Sequence, residues 1–155
     1  MILAPHLFIG AVIAAKIKFL PLAILLAFLS HYFLDSLPHT EYLIDNIKGK
    51  KWKRSKLDFL KLFLDLAGGA ILILIVCCLT KVNYFILFTA AFFAILPDIL
   101  IVLNWIFPEN LLLKKHFGFH QKVHFSKDKK ISREEKIATE LLVVIIGFLL
   151  LLIAV

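Results

Sequence analysis

Apolar residues in this chain form long runs, and short polar segments separate them. Three of the runs approach or exceed the roughly 20 residues that a helix needs to cross a bilayer; they are 57–80, 82–107 and 137–155. The residues before position 38 are also apolar, but two prolines and two lysines interrupt them, which predicts a short helix, a tight corner and a longer helix. The predicted helices cover about 5–15, 21–37, 57–80, 83–107 and 134–155.

The composition supports the same interpretation. Of the 155 residues, 61% are hydrophobic, and the mean hydropathy is +0.93, whereas soluble domains are about 45–50% apolar. The length leaves room for one domain. We therefore expect an all-α, polytopic membrane helix bundle over 1–155, with about four membrane-crossing helices and a short N-terminal helix.

Positive charge is concentrated in two segments between the predicted helices. Of the 18 Lys and Arg residues, six lie in 48–56 and eight lie in 114–136. Positive loops stay on the cytoplasmic side of a membrane, so we expect the loops 38–56 and 108–133 to face the cytoplasm. The chain is thus predicted to be a multi-pass protein of the inner (cytoplasmic) membrane with lipid as its partner. Nucleic acid is not an expected partner, because membrane insertion already explains the charge.

The histidines, and the acidic residues in the apolar segments, all fall in the half of the predicted bundle that faces these loops. His31 and Asp35 are four residues apart, and His120 and His124 repeat the spacing, so each pair projects from one helix face. Asp98 directly follows a proline, which should kink its helix and open carbonyl groups toward the site. Ionisable groups inside a membrane are functional by default. Mixed imidazole and carboxylate ligands suit a divalent ion such as zinc or manganese.

Simpler explanations exist for some of these residues. Asp58 and Asp65 lie three and four residues from Lys61, so a salt-bridged helix face explains both, and for Asp58 we prefer that explanation. The pair Gly68–Gly69 follows Asp65 and would allow another helix to approach closely. Histidines at a membrane surface also contact anionic headgroups without any catalytic role.

Four segments resemble a known family. His6 near the start, "LSHYFLD", "LPD" and "HFGFHQKVHFS" are similar to motifs of the small membrane-bound metal-dependent hydrolases of bacteria, the YdjM type. The order is rearranged, because the SHxxxD-like element here precedes LPD, and Gln121 stands where the family has Arg. The resemblance implies as ligands or catalytic groups His6, His31, Asp35, Asp98, His120 and His124.

The leading hypothesis is a membrane-embedded metal-dependent hydrolase with its active site at the cytoplasmic face, acting on a phospholipid or other phosphoester. A divalent ion lowers the pKa of bound water and polarises a phosphoryl oxygen, and the basic loops would concentrate an anionic small molecule or lipid. The candidate general bases are His39, Glu41 and His116. The candidate metal ligands are His6, His31, Asp35, Asp65, Asp98, His120 and His124.

The alternative hypothesis is a non-enzymatic membrane protein that handles ions or binds lipid or a partner. Intramembrane carboxylates and histidines also mark ion pathways, although the outer half of the predicted bundle lacks matching polar groups to complete one. Serine and thiol hydrolase mechanisms have no support, because the chain has no GxSxG and no cysteine near a histidine. The two cysteines are adjacent within an apolar helix and read most simply as small buried hydrophobes.

Overall fold

The structure, a computed structural model, describes residues 1–41, 44–124 and 131–153. Over these residues the fold is all-α and contains no strand, which confirms the predicted fold class at this level. One short 3-10 turn, Trp52–Arg54, lies between the third and fourth helices. The α-helices are α1 (Leu3–Lys16), α2 (Leu20–Asp35), α3 (Asp45–Lys48), α4 (Lys56–Leu79), α5 (Tyr84–Ile106), α6 (Leu111–Val123) and α7 (Arg133–Leu152).

Helix α6 lies inside the segment that we predicted as a basic loop, 108–133. Its N-terminus is capped by Asn110, whose side chain accepts hydrogen bonds from the N–H groups of Leu112 and Leu113. The short α3 and the 3-10 turn likewise fall within the predicted loop 38–56. Positions 42–43 and 125–130 of these loops, and 154–155 of the last predicted helix, lie outside the described residues.

Helix α1 is the centre of the bundle and contacts α2, α4, α5 and α7. Small residues allow this packing. A Cβ atom on Gly10 would lie 2.8 Å from the Cβ of Ala94 and 2.9 Å from the carbonyl oxygen of Ala90, both in α5. A Cβ on Gly69 of α4 would collide with the side chain of Leu7. The predicted close approach of a helix at the glycine pair is therefore present at Gly69, and the approaching helix is α1.

The outer surface of the bundle is strongly apolar. Helices α4 and α5 are long and apolar enough to cross a membrane. Only 17% of the most apolar 18-residue stretch of α4, and 39% of that of α5, is buried inside the protein. Helices α1 and α2 are apolar but shorter, and α7 begins with a charged turn. Two of the four predicted crossings therefore meet the length and composition expected of a membrane span among the described residues.

Candidate metal centre

Four side chains from three helices converge at one end of the bundle. His31 and Asp35 project from α2, Asp98 from α5 and His120 from α6, and one ligand atom from each lies within 4.8 Å of every other. His31, Asp35 and His120 are buried, whereas 27% of the Asp98 side chain is exposed. Three of the four groups are thus shielded from solvent, and the fourth is accessible.

The spacing of these atoms matches a tetrahedral ligand set. Nε2 of His31 lies 3.0 Å from Nε2 of His120 and 3.2 Å from Oδ2 of Asp35. Nε2 of His120 lies 3.1 Å from the same carboxylate oxygen. Oδ1 of Asp98 lies 3.7 Å from the His31 nitrogen and 3.8 Å from the His120 nitrogen. Four ligands placed about 2.1 Å from a zinc ion in a tetrahedron are about 3.4 Å apart, and the observed values lie on both sides of that distance.

Hydrogen bonding fixes which atom of His31 faces the group. Nδ1 of His31 lies 2.8 Å from the carbonyl oxygen of Ala94. A carbonyl only accepts, so Nδ1 carries the proton, and Nε2 of the neutral ring presents its lone pair. Oδ2 of Asp35 is buried and accepts no hydrogen bond from the described residues. A proton on Nε2 of His120 can be donated to the His31 nitrogen or to the Asp35 oxygen but does not satisfy both fully, whereas a cation between them would satisfy all of them at once.

His6 supports the carboxylate rather than joining the four converging atoms. Its Nε2 lies 3.2 Å from Oδ1 of Asp35, the oxygen that also accepts a 2.6 Å hydrogen bond from the amino group of Met1. The His6 ring stacks on His31 with centroids 4.3 Å apart. His6 therefore orients both a carboxylate and an imidazole of the group. Residues that contact metal ligands without binding the metal commonly have this role.

A second group adjoins the first through Asp35. One ligand atom each from Asp35, His39 and His124 also lie within 4.8 Å of one another. Oε1 of Glu41 is 3.6 Å from Nε2 of His39 and 3.4 Å from Nε2 of His124. Burial lowers the pKa of His124 below its usual value, which favours the neutral ring that a metal ion requires. Two of the predicted general bases, His39 and Glu41, thus lie beside a predicted ligand, His124.

His116 contacts neither group with its polar atoms. Its Nε2 lies 3.0 Å from the hydroxyl oxygen of Tyr32, and its ring centroid is 6.0 Å from that of His120. Burial, and then the neighbouring His120 and His31, lower the pKa of His116. The contact with Tyr32 gives His116 a supporting position beside His120.

Asp65, a predicted metal ligand, lies outside both groups of converging ligand atoms. Its carboxylate oxygens accept hydrogen bonds from the N–H groups of Leu3 at 2.6 Å and Ala4 at 2.9 Å, so Asp65 caps the N-terminus of α1. Asp58 acts in the same way on α3, because its Oδ2 accepts a 3.0 Å hydrogen bond from the N–H group of Asn46. Both carboxylates stabilise helix ends, which sequence spacing alone does not reveal.

Glu140 is a contributor that the sequence analysis missed. This α7 residue is buried, and its carboxylate accepts hydrogen bonds from the N–H group and the hydroxyl of Thr40 at 2.8–3.0 Å. The contact holds the chain segment that carries His39 and Glu41. An isolated carboxylate within the last apolar run was the signal that could have identified it.

A pocket of about 430 Å³ leads to the converging groups. Its polar lining residues include Asp98, His120, His124, Glu41 and the α3 lysine, Lys48. Its apolar lining includes side chains of α4 and α5, namely Leu62, Leu66, Ile95, Ile99 and Val102. The candidate centre is therefore accessible from a cavity that both charged and apolar side chains line.

Comparison with known proteins finds no matching family model, curated protein or solved structure. The residues themselves therefore define the site. Four of the predicted residues converge, three adjoin them through Asp35, two support the group from outside, and Asp65 lies elsewhere as a helix cap. This buried set of imidazoles and carboxylates has the ligand chemistry and spacing to hold a metal ion.

Proposed function

We propose that the protein is a membrane-embedded, metal-dependent hydrolase that acts on a phospholipid or other phosphoester. The observation that carries the proposal is the convergence of His31, Asp35, Asp98 and His120 at tetrahedral spacing beside an accessible pocket. In catalytic metal sites some coordination remains open to water or substrate. Asp98, the partly exposed member of the group, lines the pocket, so water or substrate would bind beside it as a fifth ligand, an expansion that zinc sites allow during catalysis.

The residues divide the chemistry of phosphoester hydrolysis between them. A zinc or manganese ion held by the four ligands would supply Lewis acidity and a water of lowered pKa. Glu41 lines the pocket, with its side chain one-third exposed, and is placed to accept the proton of the attacking water. As the oxygen of water bonds to phosphorus, the bond to the leaving oxygen breaks, and that oxygen takes up the proton that Glu41 accepted from the attacking water. Lys48 lines the same pocket and favours an anionic substrate.

The exposed apolar surface supports placement of the bundle in a membrane. Large apolar side chains are exposed along α2, α4, α5 and α7, and in water such contiguous surface would aggregate. In the proposed arrangement these four helices cross the inner membrane and the basic segments lie on the cytoplasmic side. The site, which adjoins α3 and α6, then opens at that face. A lipid phosphate would lie against the polar lining residues of the pocket, and its alkyl chain would lie against the apolar side chains of α4 and α5.

Metal content and activity, measured on one detergent-solubilised preparation, test this proposal. We expect the purified protein to contain a divalent ion and to hydrolyse a phosphoester, and Asp98→Asn to lose both while keeping its fold. Asn preserves the shape of the side chain but removes the charge that holds a cation. The matched control is Asp58→Asn, the same change at a carboxylate that caps α3, which should weaken folding but retain the ion. Metal content unchanged in Asp98→Asn would refute the proposed site, and bound metal without any hydrolysis would favour the ion-handling alternative.

A further inference from the structure

We infer that the site is binuclear, with a second divalent ion held by Asp35, His39 and His124 and with Asp35 shared between the two ions. The inference rests on the proposed function, because the first ion is the one bound by His31, Asp35, Asp98 and His120. Asp35 is the only residue common to both groups of converging ligand atoms among the described residues. A shared carboxylate is the simplest way to keep two cations close together.

The position of Asp35 fits this shared role. Its Oδ2 lies 3.1–3.2 Å from the nitrogens of His120 and His31, and 3.8 Å from Nε2 of His124. The same oxygen is buried and accepts no hydrogen bond from the described residues. Three imidazole nitrogens from two chain segments therefore lie within 3.8 Å of one buried carboxylate oxygen. Cations on either side of that oxygen would satisfy it and all three rings.

The hydrogen bonding of His39 repeats that of His31. Nδ1 of His39 lies 2.7 Å from the carbonyl oxygen of Leu37, just as Nδ1 of His31 lies 2.8 Å from that of Ala94. Each carbonyl accepts the Nδ1 proton, so each ring presents the lone pair of Nε2 to its group. Backbone carbonyls commonly orient metal-binding histidines in this way. His39 is thus oriented for ligation by a backbone contact of its own, separate from the one that orients His31.

The two ligand sets are also related along the sequence. His31 and His39 lie four residues before and after Asp35, and His124 lies four residues after His120. His124 caps α6 one turn after His120, whereas His39 lies in the non-helical segment that follows the end of α2 at Asp35. The second set therefore lies at and just beyond the C-terminal ends of the two helices that carry most of the first set. Paired metal sites about 3.5–4 Å apart hold both the attacking and the leaving oxygen in phosphoester hydrolysis. Glu41, beside His39 and His124, would then accept its proton next to the second ion.

Manganese binding to the full-length protein in detergent tests the inference. We expect two Mn²⁺ ions per chain by equilibrium dialysis, and an exchange-coupled manganese signal by electron paramagnetic resonance. His39→Ala should bind one ion and lose the coupled signal. His124→Ala, at the less buried end of α6, should do the same and serves as a second variant if His39→Ala does not fold. The matched control is His116→Ala, the same change at a histidine bonded to Tyr32, which should keep both ions and their coupling.

The outcomes separate this inference from the proposed function. One ion per chain with phosphoester hydrolysis intact would overturn the binuclear centre and leave the hydrolase proposal standing. Two ions in both His39→Ala and His124→Ala would overturn the assignment of the second ligands. Wild-type protein that binds no Mn²⁺ or Zn²⁺ would overturn both proposals.

Discussion

Replacing Asp65 distinguishes a helix cap from a metal ligand. Asp65→Ala removes the acceptor for the N–H groups of Leu3 and Ala4 at the start of α1. Loss of a capping side chain costs about 0.5–2 kcal/mol, and a hydrogen bond to a charged group contributes about 1.5–3 kcal/mol. Because α1 is the central helix and two partly buried N–H groups lose their acceptor, we expect the free energy of unfolding to fall by about 2–3 kcal/mol, between the upper value for one cap and twice the lower value for a hydrogen bond to a charged group.

Asp65→Asn keeps one acceptor oxygen, so its effect should be about half as large. The assay is equilibrium unfolding in mixed micelles, with bound metal measured on the same preparations. Both variants should retain the metal content of the wild type, because the carboxylate of Asp65 is outside both groups of converging ligand atoms. Loss of metal at unchanged stability would refute the capping role and restore Asp65 as a ligand.

Four further results are expected. Gly10→Val should lower the free energy of unfolding by about 1–3 kcal/mol, because its Cβ would meet the backbone of α5, whereas Gly68→Ala, in open space, should be neutral or slightly stabilising in thermal unfolding. Glu140→Ala should weaken binding of the second manganese ion more than the first in a titration, because it releases the segment carrying His39; equal weakening would contradict this. A chelator should lower the melting temperature, and excess Zn²⁺ should restore it, because the ion binds only the folded state. A melting temperature that changes with neither the chelator nor Zn²⁺ would exclude a metal site that links helices. In a background without native cysteines, a membrane-impermeant thiol reagent applied outside intact cells should label Lys81→Cys but not Lys53→Cys, both exposed positions, and the reverse would invert the topology.

Hydropathy located the long helices well but could not identify α6. The bounds of α4 and α5 differ by one residue at each end from the predicted 57–80 and 83–107. In α6, lysines and histidines alternate with leucines and phenylalanines, so the average hydropathy is low and the segment resembles a loop. The missing information was amphipathicity, which places such a helix across the end of a bundle instead of through a membrane.

The candidate site was predictable where a single helix carries two of its residues. The spacing of four between His31 and Asp35, and between His120 and His124, needs only helix geometry. Sequence could not separate Asp98 from Asp65, because both are carboxylates at similar depth in apolar runs. Their roles depend on which helix packs against each one: α2 and α6 bring imidazoles to Asp98, whereas α1 brings backbone N–H groups to Asp65.

The central position of α1 has a consequence for how the protein is made. This helix is synthesised before the other six described helices, yet most of the surface it packs against belongs to α4, α5 and α7, which emerge from the ribosome later. Contacts so distant in sequence form slowly, because long loops must close before any of them is gained. Helix α1 therefore cannot complete its packing until most of the chain has been synthesised. Its last contacts form with α7, where Gly147 packs closely against the side chain of Phe8. Truncation after α6 would remove α7 and expose the surface of α1 around Phe8.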